Sequence, residues 1–366
     1  MTYPKERHLF PGGNTYKGFF SFYKYILTQK DANRIICMKG GPGTGKSSLM
    51  KKVAAHFNNK GYSIEYHHCS SDNNSLDGIV IKELGLAILD GTSPHMVDPI
   101  HPGAVDEILN MGIALNTDAL SSNKGDIINI CKNISNNFQR AYTFLSSAKS
   151  IHDDWSRLNS SALEYSKLIT ISESLKEEIF NKQKPGFGDE RHLFATAFTP
   201  NGIITFANDL TNEFKHKFVL KGGPGFSKTT ILLEIGKLAQ KKGYFVEYMH
   251  DPFIPERIEH ILIPEISTCV LTENEISQTS FNGKLYNIED FCNNSILSNN
   301  KDDINYNKKV FYDLINKAIS LISEAHRLHD DLESYYINSI DFNILDNIYE
   351  DVIQKFEKYV PLQNHN

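Results

Sequence analysis

A chain of 366 residues that is 40% hydrophobic and 22% charged is long enough to bury two cores and too apolar for a disordered tail. Its 38 Lys and Arg against 44 Asp and Glu give a net charge of −6 without a dense basic run. That balance argues against a nucleic-acid backbone as partner, because such affinity rests on pairing of Lys and Arg with phosphate. No apolar run approaches the roughly 20 residues needed to cross a bilayer, and residues 1–10 carry charge and proline where a signal peptide is apolar. A cytoplasmic protein without membrane contact is expected. Five scattered cysteines (Cys37, Cys69, Cys131, Cys269, Cys292) form no CxxC pair and read as reduced thiols.

Taken along the chain, Arg34–Met38 is a short β-rich run ending at glycines, the pattern of a buried strand. Over Ser47–Asn58, Leu49, Met50, Val53, Ala54 and Phe57 fall on one face of a helix. Gly61 stops that helix, and Tyr62–Tyr66 reads as the next strand. Strand, glycine loop, helix, strand is a βαβ unit, which predicts a parallel sheet covered by helices. Leu86–Leu89 is a further apolar run, closed by Asp90. Residues 126–182 and 303–358 have helical spacing, few glycines and many charges, so each half gains a helical hairpin.

The chain repeats itself. Lys39-Gly40-Gly41-Pro42-Gly43 recurs as Lys221-Gly222-Gly223-Pro224-Gly225, an offset of 182 (221 − 39) that also carries Lys46 onto Lys228, Lys60-Gly61-Tyr62 onto Lys242-Gly243-Tyr244, and His68 onto His250. Arg7-His8-Leu9-Phe10 returns at Arg191–Phe194, and His152-Asp153-Asp154 returns at His329–Asp331. The expected organisation is therefore α/β: two homologous domains, 1–186 and 187–366, joined at Lys184–Gly188.

Gly40-Gly41-Pro42-Gly43-Thr44-Gly45-Lys46-Ser47 fits G-x-x-x-x-G-K-[ST] in full. The glycines let backbone N–H groups turn inward around phosphate, and the helix that follows points its positive end at the same oxygens. Lys46 suits the β- and γ-phosphates, and the Ser47 hydroxyl suits Mg2+, with Ser48 next in the first turn. This stretch resembles the P-loop NTPase superfamily, and its wording is similar to nucleotide kinases and AAA-type ATPases. The tandem arrangement resembles a bacterial family of duplicated P-loop ATP-binding proteins. The resemblance implies a P-loop fold, ATP and Mg2+, and no particular reaction.

Asp90, after its apolar run, is the preferred Walker-B-like acid and second metal residue, with Glu83 as competitor and Asp72 and Asp77 in the loop after the second strand. His68 ends its strand near the same crevice, where a structural role competes with a catalytic one. His67, Cys69, His95 and His101 lack reliable zinc spacing. In the second half, Gly222, Gly223, Gly225, Lys228, Thr229 and Thr230 keep much of the loop, but Ser227 replaces the glycine before the lysine and the offset carries Asp90 to Thr272. The expectation is a working first site and a weak or structural second one, unless Glu265 supplies the acid there. No arginine finger stands out among Arg7, Arg191, Arg140 and Arg157, and the His-Asp-Asp triplets read as polar helix faces. Three functions fit: an Mg-dependent ATPase, a small-molecule or nucleotide kinase holding its acceptor in Cys69–Gly78, or an ATP-responsive module whose hairpins recruit a protein partner.

Overall fold

The computed structural model describes residues 5–92, 97–180 and 182–361. In the first half, strands β1 (Glu6–Leu9), β2 (Gly12–Thr15), β3 (Gly18–Ser21) and β4 (Arg34–Lys39) precede helix α1 (Lys46–Asn59). Then come β5 (Ile64–His68), β6 (Leu76–Ile81), β7 (Leu86–Asp90) and β8 (Asp106–Asn110), and the helices α2 (Thr117–Ser122), α3 (Lys124–Ser160) and α4 (Tyr165–Ile179). The second half repeats this with β9 (Glu190–Leu193), β10 (Thr196–Thr199), β11 (Gly202–Thr205), α5 (Ala207–Thr211), β12 (His216–Lys221) and α6 (Lys228–Lys241). It continues through β13 (Val246–His250), β14 (Ile258–Ile263), β15 (Thr268–Glu273), β16 (Lys284–Asn287), α7 (Asn294–Asn299), α8 (Lys301–Ile337) and α9 (Phe342–Glu357).

Each half contributes a six-stranded sheet, ordered β1-β5-β6-β7-β4-β8 in the first and β9-β13-β14-β15-β12-β16 in the second. The sheets are mixed, not the expected parallel ones. β6 runs antiparallel to β5 and β7, and β14 antiparallel to β13 and β15, while the other pairings are parallel. The cause is the length of the connections, since residues 69–75 are too few for a crossover and can only turn back as a hairpin. Asp72 fastens that turn by accepting from Asn74 N–H at 3.1 Å, and Cys69 N–H closes it onto Ser75 O at 3.1 Å. In the second half Asp251 takes the same part, accepting from Phe253 and Ile254 N–H at 2.8 and 2.9 Å.

Two compact units result, and their extents cut across the sequence halves. The N unit gathers 5–12, 21–138 and 322–361, and the C unit gathers 13–20 and 139–321. The expected boundary at Lys184–Gly188 thus separates the strands of the two sheets without bounding either unit. In the N unit, α9 of the second half lays Ile348, Val352, Ile353 and Phe356 on Met50, Val53 and Phe57 of α1 and on Ile36 and Met38 of β4. In the C unit, α4 of the first half lays Leu168, Leu175 and Ile179 on Ile231, Leu232 and Ile235 of α6. Each such side chain is worth roughly 1.5–3 kcal/mol when fully buried. The helical spacing shows that α4 and α9 have an apolar face, but leaves open which sheet covers it. Among the described residues no helix is long and apolar enough to cross a membrane.

The repeated Arg-His-Leu-Phe motif fastens the sheet edges. Arg7 pairs with Glu65 at 2.8 Å and Arg191 with Glu247 at 3.2 Å, both out of solvent. His8 Nδ1 meets His68 Nε2 at 2.8 Å, and His192 Nδ1 meets His250 Nε2 at 2.8 Å. The second nitrogen of each inner ring faces a carbonyl, Asn73 O at 3.0 Å or Pro255 O at 2.6 Å. One ring nitrogen of His68 thus meets β1 and the other the turn after β5, and its burial lowers the imidazole pKa to about 4. The structural role prevails, and Arg7 and Arg191 are ion-pair partners.

Candidate nucleotide site and its degenerate copy

The loop 40–47 leaves the end of β4 and runs into α1. Gly43 and Gly45 lie at φ 65° and 80°, in the left-handed region where a side chain is strained. Gly45 precedes α1 without any side-chain cap, so the first-turn N–H groups of Lys46, Ser47 and Ser48 remain available to an anion. Thr44 is buried and its hydroxyl donates to Gly41 O at 2.8 Å, which holds the bend around Pro42. The Lys46 ammonium donates to Gly40 O at 3.2 Å and Gly41 O at 2.8 Å, and stands 3.6 Å from Asp90 Oδ2.

Asp90 reaches this point because β7 lies beside β4 and parallel to it, with Met38 opposite Asp90. Both members of the Lys46–Asp90 pair are largely withdrawn from water, their side chains 10% and 14% exposed. Thr92, overlooked in the sequence reading, ties the acid to the loop: its N–H donates to Asp90 Oδ1 at 2.8 Å and its hydroxyl to Gly40 O at 2.9 Å. The Asp-Gly-Thr turn after an apolar strand was the available signal. Ser47 Oγ accepts from Leu76 N–H at 3.1 Å, which leaves its second lone pair for a cation. Lys46, Ser47 and Asp90 are thus an ammonium, a hydroxyl and a carboxylate around one loop, a donor set that fits Mg2+ beside a polyphosphate.

The competing acids lie elsewhere. Glu83 follows β6, at the far end of β7, and accepts from Ser63 N–H at 2.9 Å. Glu265 does the same for Phe245 N–H at 3.2 Å and pairs with Lys184 at 2.7 Å, so it cannot serve the second loop. Asp72 is engaged in its turn, and Asp77 is a buried residue of β6, not of the loop. His101 Nδ1 lies 2.9 Å from Gln29 Oε1, and His95 falls outside the described residues. Arg157 pairs with Asp154 on the exposed face of α3.

A covering layer from the second half also meets this loop, unforeseen because it is nearly 300 residues distant. Gly43 N–H donates to Glu333 Oε1 of α8 at 3.2 Å. A Cβ on Gly41 would stand 2.5 Å from the Tyr336 ring, one on Gly43 3.0 Å from Glu333 O, and one on Gly45 3.2 Å from Leu345 of α9.

In the second half, Lys228 Nζ donates to Gly222 O and to Gly223 O, the latter at 2.7 Å, as Lys46 does to its own loop. The rest differs. Ser227 is held at φ 55°, a left-handed conformation that costs a residue with a Cβ about 1–2 kcal/mol. Phe226 replaces Thr44 and is buried against Gly222. Thr229 gives its hydroxyl proton to Ile258 O at 3.2 Å, and Thr230 N–H donates to Ser227 O at 3.1 Å. The strand register puts Leu220 opposite Thr272, where the first sheet has Met38 opposite Asp90. Thr272 donates to Glu259 O at 2.9 Å and brings no carboxylate.

The C-unit loop is covered by α3 in the same way. A Cβ on Gly225 would stand 2.0 Å from Ser156 O of α3, and Asn159 Nδ2 donates to Pro224 O at 2.8 Å. His152, expected on a polar helix face, is instead enclosed by Trp155, Phe253 and Phe311, with Nε2 at 2.6 Å from Glu275 Oε1. Burial acts to raise the Glu275 carboxyl, but the His152 hydrogen bond and the charge of Lys228 outweigh it and hold the carboxyl well below its ordinary range. Burial lowers the Lys228 ammonium, against the attraction of Glu275 and Asp251. The second lysine therefore has internal carboxylates as counter-charges.

Residues 16–81, which include the Gly40–Ser47 loop, match the family described as Nephrocystin 3, N-terminal. No curated protein and no solved structure matches the chain.

Proposed function

We propose that the chain binds ATP with Mg2+ at the Gly40–Ser47 loop and hydrolyses it there, while the second loop serves as structural support. The observation that carries this reading is Asp90 at the end of β7, 3.6 Å from the Lys46 ammonium. The loop N–H groups and Lys46 would hold the phosphates, with Thr44 keeping the bend. Ser47 and Asp90 would hold the magnesium ion, which supplies charge neutralisation on the phosphoryl oxygens. Thr92 fixes the carboxylate that must face it.

Against a kinase stands the loop expected to receive an acceptor. Its Asp72 is spent on the turn, Lys51 donates to Asn74 O at 2.6 Å, and Gly78 belongs to β6. Hydrolysis needs no such acceptor.

Calorimetry with Mg·ATP and phosphate-release assays on the wild type, K46A, D90N and K228A test the proposal. K46A is expected to weaken binding at least tenfold, by removing a charge-assisted contact worth about 1.5–3 kcal/mol. D90N should bind and fail to turn over. K228A should retain both activities. Turnover that persists in K46A and vanishes in K228A would reverse the assignment of the halves, and release that depends on an added acceptor would replace the ATPase with a kinase.

A further inference from the structure

The phosphate cradle of the N unit already receives an anionic group of the chain itself. Glu333 Oε1 accepts from the N–H of Gly43, one of the loop amides assigned above to phosphate. A carboxylate oxygen and a phosphate oxygen are alike to an amide donor, and one N–H cannot serve both at full strength. The same turn of α8 lays Tyr336 against Gly41 and Ile337 against Gly43, and Leu345 from α9 reaches Gly45.

The corresponding helix, α3, covers the second loop with different groups. The His-Asp-Asp repeat aligns α3 with α8 at an offset of 177 (329 − 152), which sets Ser156 where Glu333 stands and Asn159 where Tyr336 stands. On the C-unit loop the cover is a close backbone fit, 2.0 Å from a Cβ on Gly225 to Ser156 O, fastened by Asn159 to Pro224 O. On the N-unit loop the equivalent distance is 3.0 Å and the fastening is a carboxylate on an amide. Glu333 keeps 35% of its side chain exposed and Ile337 is 45% exposed, so water reaches the edge of this cover. Only the loop with Lys46, Ser47 and Asp90 has a carboxylate at this position.

We propose that Glu333 is a built-in, displaceable occupant of the phosphate cradle, so that nucleotide reaches the loop when the end of α8, residues 333–337, swings away. This rests on the nucleotide-binding reading above. Glu333 competes by charge and by hydrogen bond, and a triphosphate with magnesium displaces it by offering more oxygens to the same amides.

The test is calorimetry of the full chain with Mg·ATP for the wild type, E333Q, E333A and K46A, joined to amide hydrogen exchange with and without nucleotide. E333A is expected to tighten binding on the order of tenfold, the effect of removing one charge-assisted competitor. E333Q, which keeps shape and an acceptor oxygen but no charge, should fall between. Exchange across 333–345 in the wild type should quicken when Mg·ATP is added. If the wild type binds through Lys46 and neither E333A nor E333Q binds more tightly, the autoinhibitory contact is disproved and the nucleotide site stands. If no protein binds Mg·ATP, E333A included, the nucleotide site falls and the contact falls with it.

Discussion

Glu259 is a buried acid of the second half whose contribution to stability depends on pH. It lies in β14, 2% exposed, accepting from Asn274 Nδ2 at 3.0 Å, and burial raises its pKa from 4.5 to about 7. An acid whose pKa is raised by folding holds its proton more tightly in the native state, so stability from this group is full below pH 4.5 and declines as pH rises to 7. The displacement corresponds to roughly 3 kcal/mol across that window. E259Q removes the titration. The stability difference between E259Q and wild type, from urea unfolding at pH 4.5 and pH 8, is expected to move by about 3 kcal/mol in favour of E259Q at the higher pH. A pH-independent difference would mean that Glu259 stays ionised in the fold. His260 beside it is pushed down from 6.5 to about 3 by burial, so it contributes stability that grows as pH rises toward 6.5, opposite in sign to Glu259. Both proteins carry His260, so its contribution cancels in their difference.

At the scale of elements, the glycine loops answer to two demands that the motif alone cannot separate. Phosphate requires close backbone approach, and so does a helix laid across the loop. At Gly225 of the second loop, Ser156 O of α3 occupies the place of a Cβ. G225A is therefore expected to cost more than about 3 kcal/mol in denaturant unfolding, and more than G43A, since both positions have φ > 0 but the added Cβ meets Ser156 O at 2.0 Å in one and Glu333 O at 3.0 Å in the other. Equal losses would mean that conformation, not helix fit, retains the second glycine. The same elements show what the sequence could reveal. β4, α1, β5 and the long helices were legible because burial stamps periodicity on them, and the meeting of Lys46 with Asp90 because one ends the loop after β4 and the other ends the strand beside it. β6 itself went unread, since Asp77 and Gly78 near its start read as part of the polar loop after β5. Only the short turn at Asp72 held the clue. Glu333 and Tyr336 were out of reach because nothing near them in sequence indicates which loop they cover.

At the scale of the whole molecule, the exchange of helices makes each half dependent on the other. A fragment ending at residue 186 keeps β1 and β4–β8 but loses α9, and with it the cover over Met50, Val53 and Phe57 of α1. It retains α4, whose Leu168, Leu175 and Ile179 pack in the C-unit core with α6, which the fragment lacks. Uncovering four α9 side chains at roughly 1.5–3 kcal/mol each removes an amount comparable to the 5–15 kcal/mol that stabilises a typical domain. Fragments 1–186 and 187–366 are thus expected to lack a cooperative unfolding transition when produced separately and to regain one, with nucleotide binding, when co-expressed. Duplicated halves that fold independently would each melt cooperatively alone, and that result would show the exchanged helices to be dispensable. The dependence also gives the second half a part in the first: α8 and α9 cover the Gly40–Ser47 loop, Glu333 meeting Gly43 and Leu345 reaching Gly45.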